Sequence, residues 1–237
     1  MQCLILADAL RNPTGRRPPA LVDVAGEPFI RHQLRLLHDG GVDDVIVCVP
    51  HRDEMIEDEV DRHCPTGMTV RCARDGGRLL ETGRAIHRAV TDGMTDEQFM
   101  VLYAGTYPRV DFADVWEWFD RAHHLGLLTV CHNDDRVDAS NAAVRNGRVV
   151  VYRMASNLIS HPSLDHVHDG FGILTADAVL EFVSADEPLD LTSLYSTIAS
   201  RSQLQAYEVD QRLPEIGSPI RLAELERLLV PELQRWP

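Results

Sequence analysis

Lysine is absent from this sequence: all 23 basic residues are arginine. No Lys ammonium is therefore available as a Schiff-base amine or a phosphate clamp. Positive charge is also scarce, since 37 Asp and Glu outnumber those arginines and leave a formal charge of −14. Such a chain is a poor nonspecific binder of nucleic acid, whose affinity rests on many cationic contacts. Aromatic residues make up only 6% of it, too few for base-stacking platforms. A polyphosphate ligand is not excluded, because local patches rather than net charge hold such groups.

The five cysteines, Cys3, Cys48, Cys64, Cys72 and Cys131, include no Cys-x-x-Cys pair, so neither a zinc knuckle nor a dithiol redox motif is suggested. No apolar run approaches the ~18 residues of a membrane span. The opening Met1-Gln2-Cys3-Leu4-Ile5-Leu6-Ala7-Asp8 has no basic segment, and Asp8 ends its apolar run. The expectation is no signal peptide and a cytoplasmic location.

What the chain does have is 44% apolar residues over 237 positions, enough to bury a core. Short apolar runs at 3–7, 45–49, 69–72, 99–103 and 127–132 read as strands. They alternate with amphipathic stretches at 28–38, 54–62, 82–90 and 112–123, the last opened by Asp111 as a cap with Asp114 three residues on. This order predicts a mostly parallel sheet covered by helices on both faces. Past residue 135 the texture changes. Asn146-Gly147 between apolar runs at 142–145 and 148–153 is a strong hairpin signal. A strand at 171–174, helices at 176–183 and 191–200, a strand at 204–209 and a helix from Ser218-Pro219 to 229 complete the pattern. One domain is expected, with an antiparallel insertion in its second half.

In an open α/β sheet, ligands bind beyond the C-terminal strand ends, so the turn after the first strand is the first place to look. That turn, 8–20, carries Arg11, Arg16 and Arg17 and is locally basic, but it is neither a Gly-x-Gly-x-x-Gly nor a Walker loop. Further on stand Leu21-Val22-Asp23-Val24-Ala25-Gly26-Glu27-Pro28, Gly41-Val42-Asp43-Asp44-Val45, Leu80-Glu81-Thr82-Gly83-Arg84, Leu102-Tyr103-Ala104-Gly105-Thr106 and Glu215-Ile216-Gly217-Ser218-Pro219. In this order and spacing the chain resembles the sugar-1-phosphate nucleotidylyltransferases, the NDP-sugar pyrophosphorylase family, from residue 2 to about 229. The resemblance implies a Rossmann-like three-layer α/β/α sandwich. It divides the domain into a nucleotide-binding half, about 1–135, and a sugar-phosphate half, about 136–237.

The family's reaction joins an NTP and a sugar 1-phosphate into an NDP-sugar and pyrophosphate. The sugar phosphate oxygen attacks the α-phosphorus and pyrophosphate leaves, a step that depends on charge neutralisation and positioning. The resemblance places nucleotide binding at Leu6, Ala7, Asp8, Ala9, Arg11, Thr82 and Gly83. It places sugar-phosphate binding at Asn141, Arg153, Asp169, Gly170 and Glu215, and the metal at Glu215. Arg16 and Arg17 stand as candidate catalytic cations.

The departures fall on the catalytic parts. The family's glycine pair is Asp8-Ala9, its loop lysine position is Pro19, and the metal carboxylate of its Gly-Asp-Thr turn is replaced by Gly105. A charged Glu81 and Arg84 stand in the turn that approaches the base. The expected function is an impaired nucleotidylyltransferase retained as a sugar-phosphate or nucleotide-sugar binding subunit. The alternative is an active enzyme with an altered metal site, using Mg²⁺, with Arg in place of Lys and with Asp8 or Asp111 as substitute ligands. The expected partners are a nucleotide and a sugar phosphate or nucleotide sugar, with a second copy or an active paralogue. Neither nucleic acid nor a membrane is expected. His161, Asp165, His166, His168 and Asp169 form one further cluster, read either as an exposed polar loop entering a strand or as two imidazoles presented to a metal.

Overall fold

The structure, a computed structural model, describes residues 1–7, 18–49, 54–74, 82–133, 139–153, 163–183 and 190–233. Strand β1 (Gln2–Leu6) is followed by a short 3-10 turn at Pro19–Leu21 and a small hairpin of β2 (Asp23–Val24) and β3 (Glu27–Pro28). That hairpin was not legible in the sequence. Helix α1 (Phe29–Asp39), strand β4 (Asp44–Val49), helix α2 (Glu54–His63), strand β5 (Thr69–Arg74), helix α3 (Thr82–Thr91) and strand β6 (Gln98–Tyr103) continue the expected alternation. Helix α4 (Phe112–Asp120) starts where the Asp111 carboxylate accepts from the Asp114 N–H at 3.1 Å. It stops short of residue 123 because His123 takes a φ of +48°, which no helical residue adopts.

Strand β7 (Gly126–His132) precedes the hairpin of β8 (Ala142–Arg145) and β9 (Arg148–Tyr152). Asn146 and Gly147 turn that hairpin at φ 54° and 71°, the pair of positive values a type I′ turn needs. Strands β10 (His166–Val167) and β11 (Phe171–Thr175), helices α5 (Ala176–Phe182) and α6 (Leu191–Ser200), strand β12 (Leu204–Glu208) and helix α7 (Pro219–Leu233) follow.

Among the described residues ten strands make one mixed sheet in the order β10-β8-β9-β12-β7-β11-β6-β1-β4-β5. The pairings make β1, β4, β5, β6, β7, β8 and β12 point one way and β9, β10 and β11 the other. Strand β11 lies antiparallel between β6 and β7, so the second half of the chain is woven into the first.

Alternation along each strand sorts side chains between two cores. Leu4, Leu6, Phe99 and Val101 pack under α3, α5 and α6 with Ile86, Val179 and Leu194. Cys3, Ile5, Met100 and Leu102 pack on the opposite face under α1, α2 and α4 with Leu34, Ile56 and Phe119. Buried on both faces, the central strands read as continuous apolar runs. This is the three-layer α/β/α arrangement that the resemblance implied. A third cluster seats Leu225 and Leu229 of α7 against Val24, Phe29, Tyr107 and Ile216.

Candidate functional site

The C-terminal ends of β1 and β6 lie side by side, with Leu6 paired to Tyr103, and three further segments meet them there. Directly after β6 comes the turn Ala104-Gly105-Thr106, whose Thr106 is buried. The side chain of Gln33 donates to the carbonyls of Tyr103 at 3.1 Å and Thr106 at 2.7 Å, tying the turn to α1. The second segment, 168–170, enters β11, and the Tyr103 N–H donates to the Gly170 carbonyl at 2.9 Å. Gly170 has a φ of +89°, and a Cβ there would stand 2.8 Å from the Tyr103 ring and 2.9 Å from Thr106 Oγ1. Only glycine fits this close approach.

The third segment, 209–216, leaves β12 and crosses to β6. The Tyr107 N–H donates to the Pro214 carbonyl at 2.7 Å and the Ile216 N–H to the Gly105 carbonyl at 2.9 Å. Thr106 and Glu215 are bridge partners. The two positions that the resemblance marks for metal carboxylates, Gly105 and Glu215, are thus neighbours across one ladder. Two cavities of about 490 and 510 Å³ border this segment, and Arg212, Leu213 and Pro214 lie in the walls of both.

The structure brings several of the expected residues to this edge. Leu6 and Ala7 are buried at the end of β1, with the Ala7 N–H donating to Cys48 O at 3.1 Å. Asp169, Gly170 and Glu215 converge on Thr106 and Gly105. Asn141 sits one step away. Its Nδ2 donates to His168 O at 3.1 Å and its Oδ1 accepts from His168 N at 2.8 Å, so the side chain is spent on fixing that peptide. Arg153 reaches Asn141 only through its backbone N–H, at 2.9 Å, and is itself exposed. Thr82 and the buried Gly83 open α3, and Thr82 Oγ1 accepts from the Leu191 N–H at 3.0 Å, linking α3 to α6. Asp8, Ala9, Arg11, Arg16, Arg17 and Glu81 lie outside the described residues, as does His161.

Two arginines that the sequence did not mark complete the electrostatics. Arg212 donates to Asp169 through Nε at 3.2 Å and Nη2 at 2.5 Å, and the Leu213 N–H adds a third donor at 3.2 Å. The Asp169 side chain is 4% exposed and that of Arg212 26%. Arg221, in the first turn of α7, donates from Nη1 to Glu215 Oε1 at 2.6 Å. The Asp169–Arg212 pairing spans 43 residues and had no local signal. The Glu215–Arg221 spacing of 6 residues becomes a contact only because α7 turns back there.

His166 and His168 are buried rather than set in an exposed loop. His166 Nδ1 faces the Asp165 carboxylate at 2.7 Å. His168 donates from Nδ1 to the Thr129 carbonyl at 3.0 Å, which leaves Nε2 as a buried acceptor with no hydrogen-bond partner. The rings of Tyr103, Tyr152 and Tyr195 stand edge-on around it at 6.3, 5.7 and 5.9 Å. Burial holds the His168 imidazole below its ordinary pKa, outweighing the opposing pull of the Thr129 carbonyl and Asp169.

No family model matches the chain. Over 137 residues it is 32% identical to a rice protein (Oryza sativa subsp. japonica) named probable mannose-1-phosphate guanylyltransferase 3, the match spanning 55% of this chain and 37% of that one. A second rice protein, probable mannose-1-phosphate guanylyltransferase 2, is 32% identical over 130 residues. The match therefore spans little more than a third of the length of these curated relatives. In backbone shape the chain superposes on HddC from Yersinia pseudotuberculosis with a TM-score of 0.79 at 19% identity, covering 96% of this chain and 99% of that one. A UDP-glucose pyrophosphorylase from Acinetobacter baumanii gives 0.76 at 14% identity, covering 99% and 94%. The fold is the nucleotidyltransferase fold. No helix among the described residues is long and apolar enough to cross a membrane.

On this nucleotidyltransferase fold the resemblance implies Mg²⁺ held between two carboxylates. Among the described residues the donor set does not fit it. Gly105 offers no side chain, and Glu215 is already bonded to a guanidinium. Asp111, the described candidate for a substitute ligand, accepts from the Asp114 N–H as the α4 cap. Among the described residues no three His, Cys, Asp or Glu side chains are grouped to hold a metal ion.

Proposed function

We propose that this protein binds a nucleotide and a sugar phosphate, or the nucleotide sugar they form, and that it transfers nucleotidyl groups slowly or not at all. It serves as a binding subunit beside a second copy or an intact paralogue. One observation carries the reading: Glu215 bridges Thr106, and the residue before Thr106, where the resemblance marks a second carboxylate, is Gly105. Metal neutralisation of a phosphoryl oxygen contributes several kcal/mol to such a transfer. Loss of a single preorganised electrostatic group costs about 10²–10³ in rate. With Pro19 also at the loop lysine position, these losses together remove useful turnover.

Binding does not need the missing groups. Asp169, Gly170 and Glu215 stand together at the strand ends, where open α/β sheets take ligands. HddC, a structural neighbour of this chain, has been solved with GMP-PN, which supports a nucleotide as one ligand class.

Pyrophosphate release with a panel of NTPs and sugar 1-phosphates tests the first half. Turnover far below the usual ~1–10³ s⁻¹ is expected, and a kcat inside that range sinks the reading. Calorimetry in EDTA with sugar 1-phosphates and nucleotide sugars tests the second. Binding is expected, and none at ligand concentrations of ~1 mM overturns it.

A further inference from the structure

We propose that the Arg221 guanidinium takes the place of a divalent cation at Glu215, so that a phosphorylated ligand meets a cation belonging to the chain and binds without Mg²⁺. The ligand class rests on the binding reading above; the exchange of metal for guanidinium rests on Glu215, Gly105 and Arg221 alone.

The Glu215 backbone is pinned on both sides, by Tyr107 N to Pro214 O and by Ile216 N to Gly105 O. Its carboxylate is therefore presented at a fixed place beside the turn after β6. The 2.6 Å bond from Arg221 Nη1 to Oε1 sets a full positive charge there. A divalent cation bound to the same oxygen at about 2.0–2.1 Å would lie against that charge, and Gly105 supplies no second carboxylate to offset the repulsion.

The position of Arg221 is not one that helix stability selects. The Arg221 N–H donates to Ser218 Oγ at 3.3 Å, which puts the residue three places after the capping serine. That position favours Glu or Gln, and the helix N-terminus disfavours a cation. Arg221 is held there by its bond to Glu215. The Arg212–Asp169 pair repeats the arrangement along the same segment. Both guanidiniums, with Glu215 and Ser218, line the cavity of about 510 Å³. A planar guanidinium is a strong partner for phosphate oxygens.

Mn²⁺ titration followed by electron paramagnetic resonance tests the exchange on the intact chain. The wild type is expected to leave the free Mn²⁺ signal unchanged. Arg221→Gln is expected to raise Mn²⁺ affinity about tenfold or more by removing the positive charge beside Glu215, and Arg221→Gln with Gly105→Asp to raise it further. Arg221→Lys, which keeps the charge, is expected to behave as wild type, and thermal melts identify variants that remain folded. Stoichiometric Mn²⁺ binding by the wild type that is lost in Glu215→Gln overturns the proposal, as does an Arg221→Gln chain that binds no more Mn²⁺ than wild type. In parallel, inorganic pyrophosphate is titrated calorimetrically in EDTA. Arg221→Gln is expected to weaken it about 10–100-fold, the weight of a charge-assisted contact, and unchanged affinity overturns the phosphate role. The Mn²⁺ arm contains no phosphate or sugar ligand, so it decides the exchange even if the binding reading fails.

Discussion

Asn141 clasps the peptide of His168 at both ends, giving Nδ2 to its carbonyl and taking its N–H on Oδ1. The two residues lie on different strands' approaches, 27 positions apart, and the clasp sets the entry of the chain into Asp169-Gly170. Asn141→Ala leaves two buried backbone groups without partners, each costing about 1–3 kcal/mol. In a chain of this size each kcal/mol lowers Tm by ~2–4 °C, so a clear drop is expected in a thermal melt. An unchanged Tm would mean that the side chain serves a ligand alone.

The Asp169–Arg212 pair is lopsided in burial, and the two single variants should differ accordingly. Arg212→Gln removes the charge facing a carboxylate that is 4% exposed and leaves it the Leu213 N–H, whereas Asp169→Asn removes the charge facing a guanidinium that already reaches water. Arg212→Gln is expected to be the more destabilising in urea titrations, at about 1–3 kcal/mol, below the ~3–5 of a wholly buried pair. Equal losses would show that solvent screens both ends alike.

His168 predicts a pH dependence of definite sign. Its folded pKa lies below the ordinary value of 6.5, so below 6.5 the unfolded chain takes up a proton that the folded chain refuses. The stabilisation is complete above 6.5 and is lost as pH falls towards the folded pKa. Unfolding free energies measured over a pH series should show this slope. His168→Phe, which keeps an aromatic ring among the tyrosines, should flatten it. His32, also lowered by burial, leaves a residual slope in the variant.

For the loop after β1, the sequence alone makes the prediction. With its glycines replaced, affinity for a triphosphate should come from the charges of Arg11, Arg16 and Arg17 and fall steeply with salt. Replacing all three by Gln is expected to abolish NTP binding in calorimetry at low ionic strength. Retained binding would move the clamp elsewhere.

Periodicity and capping made most elements legible. The helix at 191–200, the Asn146-Gly147 turn and the Asp111 cap follow from local chemistry, and the structure has each of them. The place of β11 was not legible. Phe171-Gly172-Ile173-Leu174 reads as a strand, but nothing within it says that it inserts between β6 and β7. The site was legible in the same partial way. Asp169, Gly170 and Glu215 were marked by motif and do converge, but their partners Arg212 and Thr106 come from distant parts of the chain. Asn141 carries a polar side chain that sequence reasoning assigns to a ligand, while the structure spends it on His168.

The insertion of β11 also bears on how the chain is made. During synthesis from the N-terminus, β6 and β7 emerge tens of residues before β11, and until then each presents an unpaired edge where β11 will bind. The sheet cannot close across its middle until residue 175 has left the ribosome, so the two halves of the sheet join late in synthesis. A fragment ending near residue 135 would expose two adhesive strand edges in the centre of the sheet and should aggregate, although it contains five of the seven strands that run in the common direction, all but β8 and β12.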